Sequence, residues 1–364
     1  MFNRLISFLK SGNKSVQLKY FYFERKAGAA RLFNHYFRHL GTGSTDETQK
    51  VNLSGQNSRL YGMHRSGWNF AMHSLRDLHN PRGVLLDAFI DRTFSAGHLG
   101  FNGYTEPWIG FIHVPAGVPD WFASKQSNEA IFNSQKWKLS APFCKGLFTL
   151  SACHKQQLEA KFNFPVENLM HPVEFPELKW SFERFKANPE RKIVQTGWWL
   201  RKIYSIYLLQ VRGYRKILLL KKDANMEQHL KLEMEHMNLK HLIDQKVLDS
   251  VTQVNFLSNK RYDKLLSENI VFLDLIDASA TNAIIECIAR DTPVLVNPLP
   301  AVIEYLGEDY PFYYRSLEEA ARKAEDIDLV QAAHNYLLNS QIKHKLTSSY
   351  FRESFINSSI YKSL

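Results

Sequence analysis

A run of small residues between a predicted strand and a predicted helix is the segment of this sequence best suited to bind an anion. Asp277, Ser279, Ala280, Thr281 and Asn282 follow an apolar stretch, and helical spacing begins at Asn282. Small side chains let a ligand approach the backbone, and the first turn of a helix presents unpaired N–H groups and a partial positive charge. The segment therefore predicts a diphosphate site, although Ser279 or Thr281 could instead cap an ordinary helix.

Glu286 is the acidic residue that accompanies this run. It follows Asn282 by one helical turn, so we expect both side chains on the same face of the helix. A carboxylate at that position can accept hydrogen bonds from two ribose hydroxyls. The stretch from Asp277 to Gly307 is thus predicted to bind a nucleotide.

Alternating strand and helix patterns surround this segment and must position it. Apolar runs typical of strands occupy residues 59–63, 83–89, 108–115 and 145–151, and then residues 192–199, 215–220, 251–257, 270–275 and 292–297. Helical spacing separates many of them, and we also expect helices over 200–211 and 317–338. Such alternation predicts an α/β fold with two doubly wound parallel sheets, whose ligands bind beyond the carboxyl ends of the strands.

The chain of 364 residues is long enough for two domains. Residues 1–57 are predicted to form a basic N-terminal extension and a polar linker. Residues 58–178 form a first Rossmann-like domain, and residues 190–335 form a second one after a proline-containing connection. Residues 336–364 are expected to form a helical tail that packs back toward the first domain.

The order of these pieces resembles the GT-B glycosyltransferases, close to the retaining glycogen-synthase-like group (family 4). Residues 146–175, 193–207 and 254–307 carry the resemblance, which spans about residues 58–330. It implies a nucleotide-sugar donor in the C-terminal domain and an acceptor in the N-terminal domain, across a cleft. Members usually carry two glutamates about eight positions apart. Glu286 matches the second glutamate, whereas Ala278 stands at the first and Asp277 is the nearest acid.

The resemblance also implies roles for residues outside the small-residue run. Arg201 and Lys202 would neutralise the leaving diphosphate, unless they are a solvated basic pair at a helix start. His113 would contact the donor sugar or the acceptor, or assist proton transfer, unless it is structural. Together with Glu286 it is the candidate catalytic residue. The acceptor-side candidates are His64, Arg65, Ser66, Gly67 and Asp87.

The resemblance implies transfer of a sugar from a UDP- or GDP-linked donor to a hydroxyl of a glycan or lipid-linked acceptor, in surface polysaccharide or glycoconjugate synthesis. Epimerases and phosphorylases share the fold, so they remain alternatives. A catalytically inactive module that binds a glycan or a partner is a further alternative because of Ala278. No cofactor and no metal are expected, since the single Asp-x-Asp motif, Asp326 to Asp328, lies in a predicted helix.

Basic residues are concentrated at the N-terminus. Residues 1–40 contain eight Lys or Arg and one acid, out of a net charge of +10 for the whole chain. An apolar face with Phe2, Leu5, Ile6 and Leu9 favours either an anionic membrane surface or packing on the body. No nucleic-acid-binding motif accompanies the charge, so nucleic acid is not an expected partner. No apolar run reaches about 18 residues and no CxxC pair occurs, which predicts a cytoplasmic protein, peripheral to the inner face of the membrane if the basic segment binds lipid.

Overall fold

The computed structural model describes residues 48–54, 65–95, 101–123, 126–221, 224–255 and 257–364. The predicted strand at 59–63, the acceptor-side candidate His64 and the basic segment 1–40 lie outside these described residues. Within them, the backbone forms two parallel sheets of five strands each. The prediction of an α/β fold with two doubly wound parallel sheets is therefore confirmed.

The first sheet has the strand order β1-β2-β3-β4-β5, and all of its pairs are parallel. Its strands are β1 Val51–Asn52, β2 Val84–Asp87, β3 Trp108–Phe111, β4 Cys144–Thr149 and β5 Val166–Asn168. The helices of this half are α1 Trp68–Ser74, α2 Ile90–Ser95, α3 Asp120–Ala123, α4 Asn128–Asn133, α5 Gln135–Ser140 and α6 Ala152–Glu159. The sequence predicts a linker where β1 is found. The structure differs because Val51 pairs with Val84 and adds a short strand at the sheet edge.

The second sheet has the order β10-β9-β6-β7-β8 and is also parallel. Its strands are β6 Lys192–Thr196, β7 Arg215–Leu219, β8 Val251–Val254, β9 Ile270–Leu273 and β10 Val294–Val296. Its helices are α7 Phe182–Ala187, α8 Ser205–Leu208, α9 Ala224–His236, α10 Gln245–Asp249, α11 Asn259–Ser267, α12 Asn282–Arg290 and α13 Pro300–Leu306. Strands β7 and β8 follow on one side of β6, whereas β9 and β10 lie on its other side, so the strand order reverses between β6 and β9. Ligands of doubly wound sheets bind beside such a switch point.

Burial on both faces explains why these segments form a parallel sheet. All four residues of β9 are buried, and so are eight of the nine residues of α12. A strand covered by helices on both faces needs a continuous apolar run rather than an alternating one. The run of Ile270, Val271, Phe272 and Leu273 meets that requirement.

The C-terminal segment forms α14 Leu317–Glu325, α15 Ile327–Leu338, α16 Ile342–Lys345, α17 Ser348–Asn357 and α18 Ser359–Lys362. Phe351 and Phe355 of α17 pack with Phe111 of the first sheet, and Ile360 of α18 lies against Gly146. A Cβ at Gly146 would lie 2.7 Å from the Ile360 side chain, so only glycine allows this close approach.

Two predicted helices differ from the observed ones. Only Ser205–Leu208 is helical within the predicted helix 200–211. The predicted helix 317–338 is divided at Asp326, whose side chain accepts the Leu329 N–H at 3.0 Å and caps α15. Asp326 therefore acts as a helix cap.

Candidate functional site

A cavity of about 1120 Å³ lies where the carboxyl ends of the two sheets face each other. The first domain lines it with residues after β2 and β3, including Asp91 and His113. The second domain lines it with the segment after β6, including Arg201, and with the segment after β9. The cavity is thus at the switch point between β6 and β9, as expected for a ligand site in this class of sheet.

The predicted small-residue run forms one wall of this cavity. Asp277, Ser279, Ala280, Thr281 and Asn282 all line it, and helix α12 begins at Asn282 with its N-terminus toward the cavity wall. The Ser279 side chain is buried, and its Oγ has no hydrogen-bond partner among the described residues. Thr281 is the N-cap residue but makes no capping bond with its side chain, so an ordinary Ser or Thr cap does not explain the run.

Asp277 connects this wall to the other domain. Its Oδ2 accepts the N–H of Gly117 at 2.7 Å, and its Oδ1 accepts the N–H of Ala278 at 2.8 Å. A Cβ at Gly117 would lie 2.6 Å from Asp277 Oδ2, so a larger residue here would displace the carboxylate from this contact. Burial raises the pKa of Asp277. Both carboxylate oxygens therefore accept hydrogen bonds from backbone N–H groups.

Arg201 and Lys221 are the basic residues that the second domain contributes to the cavity lining. Arg201 Nη1 donates to the Trp199 carbonyl at 2.6 Å, while its buried Nε has no partner and no described carboxylate forms an ion pair with it. Burial lowers the pKa of Arg201 to about 10, so the side chain remains charged at neutral pH. Lys202 points elsewhere, because its Nζ pairs with Asp274 at 3.2 Å and it does not line the cavity.

Glu286 does not line the cavity. It is buried, and its Oε1 accepts Ser66 Oγ at 2.6 Å and Ser66 N at 3.2 Å. Arg290 of the same helix lies 3.8 Å from the other carboxylate oxygen. The carboxylate that is predicted to bind ribose hydroxyls is thus hydrogen-bonded to Ser66 of the first domain.

Arg65, Ser66 and Gly67 also lie away from the cavity. Arg65 donates to both oxygens of Asp263, at 2.7 to 3.1 Å, and to Glu174 at 2.8 Å. Gly67 has φ −64°, an extended conformation open to any residue, so the turn does not depend on glycine. Arg65 and Ser66 join the domains, and none of the residues 65–67 lines the cavity.

Asp87 is also internal. Its Oδ1 accepts the N–H of Phe89 at 2.9 Å, and its Oδ2 accepts the hydroxyl of Tyr104 at 2.9 Å. It does not line the cavity, and its two contacts stabilise the turn after β2.

His113 lines the cavity as a neutral ring. Its Nε2 lies 3.0 Å from the Ala88 carbonyl, which only accepts, so Nε2 carries the proton. Burial lowers its pKa to about 3, and the ring stacks on Phe89 at 3.8 Å. A base with so low a pKa is poorly matched to proton transfer near neutral pH. The geometry favours a hydrogen-bonding role.

Several residues that line the cavity are not among those predicted from the sequence. Asp91 is buried and accepts the N–H groups of His113 and Val114, both at 2.9 Å, and burial raises its pKa to about 7. Trp68, Trp121 and His229 also line the cavity. Asp91 lies in the first turn of α2, four residues after the strand end at Asp87, and that position is the signal that could have found it. No local pattern distinguishes the aromatic residues from core residues.

No group of three or more His, Cys, Asp or Glu side chains among the described residues could hold a metal ion. No helix in this part of the chain has the length and apolar character needed to cross a membrane.

This protein is similar to known proteins in structure but not detectably in sequence. No protein-family model matches the sequence, and no curated protein is significantly similar to it. The UDP-forming alpha,alpha-trehalose-phosphate synthase from Burkholderia vietnamiensis shares 12% identity, covering 82% of this chain and 77% of that one, with a TM-score of 0.52. Sucrose-phosphate synthase from Thermosynechococcus elongatus shares 12% identity over 75% and 70%, with a TM-score of 0.52.

TarM from S. aureus, solved with UDP, shares 10% identity with a TM-score of 0.51, covering 80% of this chain and 59% of that one. Identities this low establish the fold alone. The chain has the GT-B fold of the nucleotide-sugar glycosyltransferases, with two Rossmann-like domains.

Proposed function

We propose that this protein is a glycosyltransferase that moves a sugar from a nucleotide-sugar donor to a hydroxyl acceptor. The observation that carries the proposal is the anion site in the cleft. Ser279 to Asn282 and the start of α12 line the cavity, and so does Arg201, which forms no ion pair with a carboxylate of the described residues. Helix N-termini and arginine guanidinium groups are the usual partners of phosphate oxygens.

This geometry stabilises the charge that sugar transfer creates. The acceptor oxygen bonds to the anomeric carbon while the bond from that carbon to the diphosphate oxygen breaks. The electron pair leaves with the diphosphate, and the hydroxyl proton ends on the diphosphate or in solvent. Arg201 and the N–H groups of α12 would stabilise the departing charge, which is a larger effect inside a cleft than in water.

The identity of the donor is the next part of the proposal. UDP is the first candidate, because one neighbour is named as UDP-forming and another was solved with UDP. Membership of the retaining glycogen-synthase-like group and catalysis without a metal ion are also proposed on the resemblance. Glu286 is not proposed as the ribose ligand, since its carboxylate binds Ser66.

The proposal is tested by the affinity for UDP, measured by titration calorimetry with the purified full chain. Arg201→Ala should raise the Kd about tenfold or more, because a charge-assisted contact is lost. Lys202→Ala is the matched control, since this neighbouring cation is paired with Asp274 outside the cavity. We expect its Kd to equal that of the unaltered protein.

A screen of UDP and GDP sugars for nucleotide release, with product analysis, then identifies the donor and separates transfer from epimerisation. Failure of UDP and GDP to bind at millimolar concentration would contradict the proposal. Equal effects of the Arg201 and Lys202 variants would also contradict it.

One observation favours a second candidate, an inactive module that binds a nucleotide. Ala278 occupies the position of the first glutamate, and Glu286 is turned toward Ser66. The cavity therefore lacks both carboxylates that the resemblance would supply. UDP binding without release of nucleotide from any donor, with all acceptors tried, would identify such a module.

A further inference from the structure

The aromatic part of the cavity lining has a different chemistry from the anion site. We refer to six of its rings as the acceptor wall: Trp68, Phe89, His113, Trp121, Phe122 and Trp199. Five of these residues belong to the first domain, and Trp199 faces Phe122 from the second, with ring centroids 5.1 Å apart. Rings of this size present flat apolar surfaces to a ligand.

Two buried polar atoms without partners accompany these rings. Trp68 is 3% exposed, and its Nε1 has no hydrogen-bond partner among the described residues. His229 is 2% exposed, also lines the cavity, and its Nδ1 has no partner there. Buried polar atoms are rarely left unpaired, so both atoms call for polar groups of a ligand.

The two atoms differ in the hydrogen bond that they offer. Trp68 Nε1 can only donate. His229 Nε2 lies 3.3 Å from the Arg201 carbonyl and 3.5 Å from Glu233 Oε2, which both accept, so Nε2 carries a proton. Nδ1 is then the ring atom left to bond a ligand. A hydroxyl group both accepts and donates, so ligand hydroxyls can satisfy Trp68 Nε1 and His229 Nδ1 alike.

The charge of this side of the cavity does not favour an anion. The charged residues that the first domain contributes to the cavity are Asp91, Arg92 and Asp120. The Arg92 guanidinium lies over the Phe89 ring, 4.4 Å from its centroid. A phosphate group is usually held by several cations or by a helix N-terminus. Here the first domain contributes one cation beside the Asp120 carboxyl group, and the Asp91 oxygens already accept two backbone N–H groups.

We propose that the acceptor wall binds a neutral saccharide, whose ring lies on the aromatic surface and whose hydroxyls bond to Trp68 and His229. A lipid chain would leave both buried polar atoms unpaired, and a sugar phosphate would find one first-domain cation, Arg92, beside the Asp120 carboxyl group. This inference rests on the proposed transferase function, because it assigns the acceptor class of the same cleft. It differs from the phosphorylated products for which two of the structural neighbours are named.

The binding experiment uses the full chain with UDP present. Methyl glycosides of common hexoses are compared, pair by pair, with the corresponding sugar 6-phosphates by titration calorimetry. We expect at least one methyl glycoside to bind, and its phosphorylated counterpart to bind no more tightly. No binding of any methyl glycoside at high millimolar concentration, or tighter binding of the phosphates, would overturn the inference.

Variants then test the two features of the wall. Trp68→Phe keeps a ring but removes the N–H donor, and should raise the Kd of the methyl glycoside about tenfold. Trp180→Phe is the control, because Trp180 is equally buried and donates to the Asn269 carbonyl away from the cavity. Equal losses in both variants would mean that only general stability is affected, and would overturn the role of Trp68.

Trp199 distinguishes ring stacking from simple apolar contact. Trp199→Phe should retain most of the saccharide affinity, whereas Trp199→Leu should lose about tenfold, since a branched chain offers no flat face. Equal affinities of the two variants would contradict stacking. A loss of UDP affinity with unchanged saccharide affinity would assign the wall to the nucleobase instead.

These results separate this inference from the proposed function. The UDP affinity of the unaltered chain decides whether a nucleotide binds in the cleft. The saccharide titration, performed on protein already saturated with UDP, decides only the acceptor class.

Discussion

Asp91 shows how a single buried carboxyl group couples the cleft to pH. Burial raises its folded-state pKa to about 7, against an ordinary value of 3.8, although the N–H groups of His113 and Val114 partly oppose the shift. Between these two values the folded protein keeps a proton that the unfolded chain has lost. The contribution of Asp91 to stability therefore falls as pH rises through this window.

Asp91→Asn should remove this dependence, because an amide has no proton to lose. The unaltered protein should lose on the order of 4 kcal/mol of this contribution between pH about 4 and about 7. Urea unfolding at several pH values measures the slope for both proteins. An identical slope in the variant would show that Asp91 has an ordinary pKa.

Sequence reasoning identified the small-residue run but could not rank neighbouring residues. Arg201 and Lys202 are adjacent in the chain, and only the position of Asp274 in the fold shows which of them is paired. Helical periodicity correctly placed Glu286 on α12. It could not reveal Ser66, a partner 220 positions away that binds its carboxylate.

At the scale of elements, local patterns predicted the strands and the helix α12 well, because a long apolar run fits few structures other than a buried strand or helix. The predicted helix 200–211 shows where they fail. Leu200 has a positive φ of 55°, and the Lys202 N–H donates to the Asp274 carbonyl at 2.8 Å. Ile203 and Tyr204 donate their N–H groups to Glu233, at 2.9 and 3.0 Å. Acceptors distant in the sequence thus replace the carbonyl groups that would accept these N–H groups in a helix. Local helix propensity does not encode such partners.

Glu233 is therefore expected to hold the segment that carries Arg201. Glu233→Ala would leave two buried N–H groups without acceptors and should lower the free energy of unfolding by about 2 kcal/mol. It should also weaken UDP binding, because the Arg201 segment loses its support. Denaturant unfolding and calorimetry measure the two effects.

Glu235→Ala, an exposed change on the same helix, is the control for Glu233→Ala. We expect little change in either quantity for this variant. A Glu233 variant with unchanged UDP affinity would show that the segment keeps its geometry without this carboxylate.

At the scale of the whole molecule, contacts between the domains connect several parts of the site. The Glu304 carboxylate accepts the N–H groups of Ala152 and Cys153, both at 2.7 Å, and the Tyr305 hydroxyl donates to the Leu150 carbonyl. Alternation of strands and helices predicted two α/β halves. It could not predict these contacts, because they depend on residues more than 150 positions apart.

Arg65 is the most strongly paired cation of this interface. Its guanidinium binds Asp263 of α11 and Glu174, and Arg290 binds the same Asp263. Arg65→Ala leaves Asp263 with one of its two arginines and removes the Glu174 contact. We expect a loss of about 3 kcal/mol in unfolding free energy, as for other largely buried ion pairs.

The same variant should also loosen the cleft, since the residue next to Arg65 holds Glu286 of α12. Small-angle X-ray scattering should give a larger radius of gyration for Arg65→Ala, and UDP should restore the smaller value by binding across the closed cleft. Arg352→Ala is the matched control. Arg352 binds Asp77 through the same kind of bidentate contact but in a more exposed pair, for which about 1 kcal/mol or less is expected. If both arginine variants gave equal losses and unchanged radii, the Arg65 cluster would have no part in holding the domains together.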